Sequence, residues 1–220
     1  CLSWPRRIRG VTVPAQGSTV VEASAVPEHP VQLRYLEQEN SYELSNAYLV
    51  CRINDRGKLV SVKKQGADTE YLAGVGNRLL MFKDVNTCYD AWELGSMYEN
   101  LPVPLGENVA VTMQPGAYRA ALEVSRKMGS STMTQEIVLT ADSVCVEFVT
   151  QIDWQERHKL LKIAFPVNAY AKEAIHEIQF GYVKRPTHRS YQTDKDRFEV
   201  CNHRYSALTD GAHGAAVLND

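Results

Sequence analysis

The chain has 220 residues, a formal net charge of −2, and apolar and charged fractions close to those of ordinary globular proteins. This length suits one large domain or two small ones, and the near-zero charge argues against nucleic acid or an anionic membrane as the main partner. No apolar run reaches the roughly 20 residues of a membrane span, and no signal peptide is recognisable. Because residue 1 is Cys and the final AAVLND stops within a strand-like pattern, we expect an excised fragment that is truncated at its C-terminus.

The first 31 residues are predicted to form a short β segment followed by a linker. Trp4-Pro5 argues against a helix there, since proline lacks a backbone donor and restrains the residue before it. Two short apolar runs, 8–13 and 19–23, are predicted strands, and the proline-containing stretch 26–31 is the predicted linker. Residues 32–220 form the second predicted domain.

Apolar and polar residues alternate with a period of two over most of this second domain. The clearest signal is a hairpin, in which two alternating runs flank the turn NDRG at 54–57. Further strands are predicted at 78–82, 109–113, 118–127, 132–139, 144–152, 158–166, 175–183 and 197–202. No stretch sustains a helical stripe with caps at both ends. The pattern predicts an all-β fold with large antiparallel sheets.

The five cysteines are spread widely along the chain, at positions 1, 51, 88, 145 and 201. An odd number without short spacings is not typical of a disulfide framework or a zinc site. Cys51, Cys145 and Cys201 lie inside predicted strands among apolar neighbours, so we favour buried free thiols over disulfides. Free thiols persist in a reducing compartment, and we therefore expect a cytoplasmic protein.

One long stretch, residues 83–107, interrupts the strand pattern and combines aromatic with acidic residues. Loops of this length in a compact domain are usually functional or disordered, and the aromatic content argues against disorder. Its centre, YDAWE at 89–93, places ring faces beside carboxylates, a combination that suits the apolar face and paired hydroxyls of a sugar. The alternative is structural: Trp92 plugs the end of the sandwich and Asp90 caps a turn.

A second polar stretch lies between the last two predicted strands and contains Arg185, His188, Arg189, Asp194, Asp196 and Arg197. Pro186 imposes an extended bend, and the density of charged side chains between two strands predicts contact with a polar ligand. The loop has no obvious pairing of a nucleophile with a base, and it therefore predicts binding without a reaction centre.

Motifs for several kinds of chemistry are missing from the sequence. The six histidines include no H-x-x-x-H or H-x-H pair, so a metal site is not predicted. Nothing in the sequence places any two of the 26 acidic residues at the ~5–9 Å separation of a glycosidase pair. G-x-G-x-x-G, G-x-x-x-x-G-K-[ST], G-x-S-x-G and H-E-x-x-H are also missing, which argues against nucleotide-dependent, lipase-like and zincin functions.

The motifs, taken in chain order, resemble the C-terminal β region of glycoside hydrolase family 38, the retaining α-mannosidases, and most closely its cytosolic and bacterial branch. The resemblance is carried by LSWPR (2–6), NAYLVCRINDRGKLVSV (46–62), GNRLLMFKDV (76–85), YDAWEL (89–94), HKLLKIAFPV (158–167), EIQFGYVKRPTH (177–188), RFEVCNHRY (197–205) and AAVLND (215–220). Each segment is weak alone, but together they follow the family's order over nearly the whole chain.

The resemblance implies a large antiparallel super-sandwich of the galactose-mutarotase-like kind, in agreement with the predicted strands. It also implies that an N-terminal α/β catalytic domain of the same chain supplies the nucleophilic Asp and the ligands of a zinc or other divalent ion. Retaining hydrolysis passes through a covalent glycosyl-enzyme. The resemblance therefore assigns no catalytic residue, metal or other cofactor to these 220 residues.

Two functions follow from these observations. In the first, the fragment is the non-catalytic β-sandwich of an enzyme that removes terminal α-D-mannosyl residues from mannose-containing oligosaccharides. It supports the catalytic domain and lines the substrate site with Asp90, Trp92, Arg185, His188 and Arg197. In the second, it is an autonomous carbohydrate-binding module or a purely structural β-sandwich, and the same loops serve domain packing. Neither function predicts a nucleic acid or a membrane as partner.

Overall fold

A computed structural model describes residues 26–86, 88–89 and 92–219, so the predicted strands 8–13 and 19–23 lie outside the described range. In chain order the strands are β1 (Gln32–Leu36), β2 (Ser41–Ser45), β3 (Leu49–Asn54), β4 (Leu59–Lys64), β5 (Arg78–Lys83), β6 (Pro102–Val103), β7 (Val109–Gln114), β8 (Arg119–Met128), β9 (Ser131–Thr140), β10 (Glu147–Asp153), β11 (Lys159–Ala164), β12 (Glu173–Ile178), β13 (Gly181–Pro186), β14 (Tyr205–Thr209) and β15 (Gly214–Leu218). A five-residue helix, α1 (Gln192–Asp196), follows β13. Two 3-10 turns lie at Glu37–Glu39 and Tyr98–Asn100. The predicted all-β class is confirmed.

The strands form antiparallel sheets in the described part of the chain. The first sheet has the order β1-β2-β3-β4, and the second has the order β10-β9-β8-β7. A third, smaller sheet has the order β11-β5-β6, and the fourth has the order β13-β12-β14-β15. Most strands that are neighbours in these sheets are also consecutive in the sequence. An alternating pattern interrupted by short turns is therefore enough to indicate these antiparallel strand pairs.

The main core lies between the first and second sheets. Alternation along β8 and β9 directs one set of side chains towards the first sheet, and register pairs Leu122 with Ile137. The buried residues of this core are Val31, Leu44, Cys51, Ile53, Leu59, Ala120, Leu122, Val124, Ile137, Leu139 and Ala141. Apolar side chains from both sheets are therefore removed from water together, which is the main favourable contribution to folding.

The predicted hairpin at 54–57 is confirmed, and its turn also contacts the second sheet. Gly57 has a φ of +70°, and a Cβ atom placed there would lie 2.6 Å from the Cγ1 atom of Val124. The side-chain amide of Asn77 donates to the Gly57 carbonyl at 2.9 Å and to Gln135 Oε1 at 2.7 Å. The turn, the entry to β5 and strand β9 are thus joined at one buried point.

The third sheet packs against one end of the second. Leu79 and Met81 of β5 form a smaller core cluster with Met128 and Met133 of β8 and β9. This packing fixes β5, and β5 in turn fixes the start of the long stretch that follows it. That stretch, residues 84–101, connects β5 to β6 and is called the aromatic loop below.

Two sequence predictions about the C-terminal part are wrong. The run 175–183 is not one strand but the β12-β13 hairpin, in which Phe180 turns the chain with a φ of +63°. Residues 197–202 are not a strand either, because they follow helix α1 directly and β12 pairs with β14 instead. Alternation alone indicated strands at both places, but a turn residue and a helix end interrupt the pairing.

The predicted burial of the cysteines is confirmed for one and wrong for two. Cys51 lies in the main core, and burial raises the pKa of its thiol to about 12. Cys145 and Cys201 are exposed and precede β10 and β14, and Cys88 is also exposed. All four of these thiols are free. None of the helices in the described ranges has the length and apolar character needed to cross a membrane.

Candidate functional site

The aromatic loop meets the segment after helix α1, residues 197–204, at an open cavity of about 650 Å³. Its walls are formed by Tyr89, Trp92, Glu93, Leu94, Phe198, Glu199, Val200 and Cys201. We call it the aromatic cavity. It joins the long stretch that sequence analysis singled out to residues of the predicted strand 197–202, just after the second polar stretch, and it combines ring faces with carboxylates.

A short turn sets the position of the two exposed aromatic residues of this cavity. The backbone amides of Trp92 and Glu93 both donate to the Tyr89 carbonyl, at 2.7 and 2.9 Å. Tyr89 has a φ of +54°, a left-handed conformation that brings the chain back on itself. The side chains of Tyr89 and Trp92 are 76% and 91% exposed. Their rings are therefore available to a ligand rather than used in the core.

The other end of the aromatic loop is anchored by Tyr98, which is buried. Its ring contacts Phe82 of β5 edge-on, with centroids 5.1 Å apart, and lies 6.3 Å from Phe198. Its hydroxyl donates to the carboxylate of Glu199. Burial, together with the Glu199 carboxylate, raises the pKa of Tyr98, so its proton stays in place for this hydrogen bond.

Lys162 of β11 completes the contact between the two stretches. Its ammonium group pairs with Glu199 Oε1 and donates to the Tyr98 hydroxyl at 2.6 Å. Burial opposes the charged form of Lys162, but the hydrogen bonds to Glu199 and Tyr98 outweigh burial and raise its pKa. The three residues form a charge-assisted cluster that holds one wall of the aromatic cavity.

The five predicted site residues lie in different places in the structure. Trp92 lines the aromatic cavity, and Arg185 of β13 donates to the Cys201 carbonyl at 3.3 Å, beside the cavity wall. His188 instead faces helix α1, with Nδ1 3.6 Å from Asp194 Oδ2. Arg197 is exposed at the end of that helix, and Asp90 lies outside the described residues. Trp92 and Arg185 thus approach one segment, whereas His188 and Arg197 do not line the cavity.

Sequence analysis did not identify the cluster that holds the cavity wall. Tyr98 lies in the stretch 83–107 and Glu199 is one of 26 acidic residues, but the sequence singles out neither of them. Lys162 lies 37 residues from Glu199, and no local pattern connects them. The pairing follows from the placement of β11 beside β5, which is a long-range property of the fold.

A second polar cluster lies on the fourth sheet. His176 and Ser206 are directly opposite in the β12-β14 pair, with Nδ1 and Oγ 2.9 Å apart. Burial, and then the positive charge of Arg185, lower the pKa of His176. The neutral imidazole is therefore the favoured form of His176 beside Ser206.

The resemblance implies a zinc ion whose ligands belong to a catalytic domain and not to these residues. Within residues 26–86, 88–89 and 92–219, no three His, Cys, Asp or Glu side chains converge on a common point. A zinc site normally takes three or four such ligands. The described residues therefore do not fit a zinc site.

Comparison with known proteins places these features in a family. The family model for the glycosyl hydrolases family 38 C-terminal domain matches residues 44–220. Alpha-mannosidase 2C1 of Homo sapiens is 34% identical over 219 residues, which cover 96% of this chain and 21% of that protein. Alpha-mannosidase G of Dictyostelium discoideum is 32% identical over 185 residues, covering 80% of this chain and 17% of its own length.

A solved structure shares the fold. The alpha-mannosidase from Enterococcus faecalis V583 matches with a TM-score of 0.59 and 13% sequence identity, over 81% of this chain and 23% of that one. The fold and the family match define the class as an all-β domain of a glycoside hydrolase. The chain belongs to glycosyl hydrolase family 38, as its C-terminal domain, which confirms the resemblance seen in the sequence motifs. It spans about a fifth of the length of the curated relatives it matches.

Proposed function

We propose that this chain is the β-sandwich part of a retaining α-mannosidase that hydrolyses terminal α-D-mannosyl residues of mannose-containing oligosaccharides. The family match over residues 44–220 carries the proposal, and relatives named alpha-mannosidase support it. In this proposal an N-terminal α/β domain of the same protein holds the nucleophile and a zinc or other divalent ion. The complete protein acts in the cytoplasm.

The proposed role of this chain is to support that catalytic domain and to contribute to the edge of its substrate site. The chemistry of the aromatic cavity supports a binding role. Trp92 offers a ring face, and Arg185 offers hydrogen-bond donors beside the same wall. Glu199 is engaged by Lys162 and Tyr98, so it is poorly suited to attack a sugar as a nucleophile.

The test compares the complete protein with the 220-residue chain. Both are expressed separately, and hydrolysis of 4-nitrophenyl α-D-mannoside is measured with and without added zinc. We expect turnover by the complete protein and none by the chain alone. Turnover by the chain alone contradicts its non-catalytic role, and a complete protein without α-mannosidase activity contradicts the assignment of the enzyme.

A second candidate function is carbohydrate binding by the chain alone. The exposure of Tyr89 and Trp92 beside two carboxylates favours it, because an exposed ring face next to hydrogen-bond acceptors suits the apolar face and hydroxyls of a sugar. Titration of the isolated chain with α-mannose oligosaccharides separates the two functions. Saturable binding indicates an autonomous module, whereas no binding indicates that the loop serves packing or a site completed by the catalytic domain.

A further inference from the structure

Glu199 has two carboxylate oxygens with different surroundings. Oε1 accepts hydrogen bonds from both the Tyr98 hydroxyl and the Lys162 ammonium group. Both of these hydrogen bonds end on Oε1, and in the described part of the chain no hydrogen bond to Oε2 is found, although the residue lines the aromatic cavity. One oxygen therefore fixes the side chain, and the other remains available to a ligand.

The fixed position matters because a surface glutamate normally loses conformational freedom when it binds a ligand. Lys162 and Tyr98 have already restricted this side chain, so that entropy is lost on folding and not on binding. Tyr98 is itself held by the buried contact of its ring with Phe82. The acceptor oxygen is thus positioned by three side chains from different parts of the sequence.

The charge balance indicates which kind of donor suits this oxygen. Lys162 compensates the negative charge of Glu199, which reduces the attraction of this wall for a free cation. A neutral hydroxyl can still donate to a carboxylate oxygen in a strong charge-assisted bond. Trp92 provides a flat apolar surface in the same cavity, which suits the C–H face of a sugar ring.

We propose that Glu199 is the specificity-determining acceptor of the aromatic cavity, which binds a hydroxyl of a neutral sugar ring that stacks on Trp92. Lys162 and Tyr98 are positioning residues that act through Glu199. This inference rests on the proposed function for the class of ligand, but it adds an acceptor that neither the sequence motifs nor the family match identifies.

The test uses the fluorescence of Trp92 in the 220-residue chain, with Trp4→Phe and Trp154→Phe as background substitutions. Methyl α-D-mannoside and an α-mannobiose are the probes. We expect a saturable change in emission, and we expect Glu199→Gln to weaken the affinity about tenfold. In the Glu199→Gln variant, Tyr98 and Lys162 must both donate to the side-chain amide oxygen. The NH₂ group then takes the place of the carboxylate oxygen Oε2 and cannot accept a hydrogen bond from a sugar hydroxyl.

Three controls separate ligand contact from a general structural effect. Glu173→Gln removes a carboxylate from another Lys–Glu pair, with Lys184 at 3.9 Å, and should leave the affinity unchanged. Tyr98→Phe keeps the buried ring but frees Glu199, so it should weaken binding by about threefold while the melting temperature changes little. For a fully O-methylated mannoside, which lacks donor hydroxyls, Glu199→Gln should have no effect on affinity.

Two outcomes overturn the inference. One is a chain that shows no saturable change with either sugar, and the other is a Glu199→Gln variant with the affinity of the parent chain for methyl α-D-mannoside. Circular dichroism and thermal melting establish that each variant is folded. If sugar binding fails while the complete protein hydrolyses an α-mannoside, the proposed function stands and only the role of Glu199 is rejected.

Discussion

Gly57 is a single residue on which the contact between the first two sheets depends. Its φ of +70° is a backbone conformation that residues other than glycine rarely adopt. A Cβ atom added at this position would lie 2.6 Å from Val124 Cγ1. Val124 is fully buried in β8 and cannot move aside without disturbing the main core. The turn thus requires glycine for two separate reasons, backbone conformation and space.

We expect Gly57→Ala to lower the free energy of unfolding by roughly 2–5 kcal/mol, the sum of backbone strain and overpacking. Gly66→Ala is the matched control, because Gly66 has a φ of +75° with no atom within 4 Å of an added Cβ. It should cost only about 1–2 kcal/mol, from strain alone. Urea denaturation of both variants measures the difference. Equal losses of unfolding free energy in the two variants would show that the contact with Val124 does not contribute to the effect.

At the scale of elements, Glu70 joins the strand β4 to the chain that leaves it. Ser61 Oγ donates to one carboxylate oxygen at 2.6 Å, and the amides of Val62 and Leu72 donate to the other at 2.8 and 3.0 Å. Burial alone would raise the pKa of Glu70, but these three hydrogen bonds, together with the positive charge of Lys63, outweigh burial and lower the pKa. The carboxylate form is therefore the one that stabilises the fold.

The lowered pKa of Glu70 predicts the direction of a pH effect. A carboxyl group with a depressed pKa stabilises the folded state above its unfolded pKa of about 4.3, and this stability is lost as the pH falls through the folded pKa. The stability difference between the parent chain and Glu70→Gln should be full at about pH 7 and should shrink below about pH 4. Urea denaturation across this range measures it, with Glu173→Gln as a surface control. A difference that grows on acidification would contradict the assignment.

The strands of the main sandwich could be predicted from sequence because each alternates and pairs with its neighbour in the chain. Strands β8 and β9 start or end within one residue of the predicted runs 118–127 and 132–139. The C-terminal part was less predictable. Phe180 occupies a left-handed turn position that glycine or asparagine usually takes, so its apolar character was interpreted as part of a strand.

The candidate site was predictable only as two separate stretches. Their residue types indicated a polar ligand, and the structure brings Trp92 to the segment that Arg185 contacts. No local sequence pattern indicates that His188 faces Asp194. The same is true of the pairing of Lys162 with Glu199. The Lys162–Glu199 pair depends on which strands lie side by side, and long-range pairing is what composition and periodicity do not specify.

At the scale of the whole molecule, burial is distributed unevenly among the sheets. The buried residues of the main core come mainly from the first and second sheets, and β8 and β9 of the second sheet contribute five of the eleven. In the fourth sheet, every residue of β12, β13, β14 and β15 is at least partly accessible, and Tyr182 and Leu218 are among its exposed apolar residues. A sheet without a buried face depends on its hydrogen bonds and on whatever covers it, since apolar burial supplies most of the stability of sheets.

This uneven burial predicts different opening free energies within one chain. In the isolated chain we expect the amides of the fourth sheet to exchange about a hundredfold faster than those of β8 and β9, after correction for intrinsic rates, because local opening there exposes little apolar surface. Hydrogen exchange followed by mass spectrometry resolves the two regions.

Strand β7 is the internal control, since it is an edge strand like β13 and β15 yet packs against the main core. If the amides of β7 exchange as fast as those of β15, the edge position of a strand, and not the lack of a buried face, explains the faster exchange of the fourth sheet. Equal protection of the amides in β8, β9 and the fourth sheet would show that the fourth sheet is stable by itself.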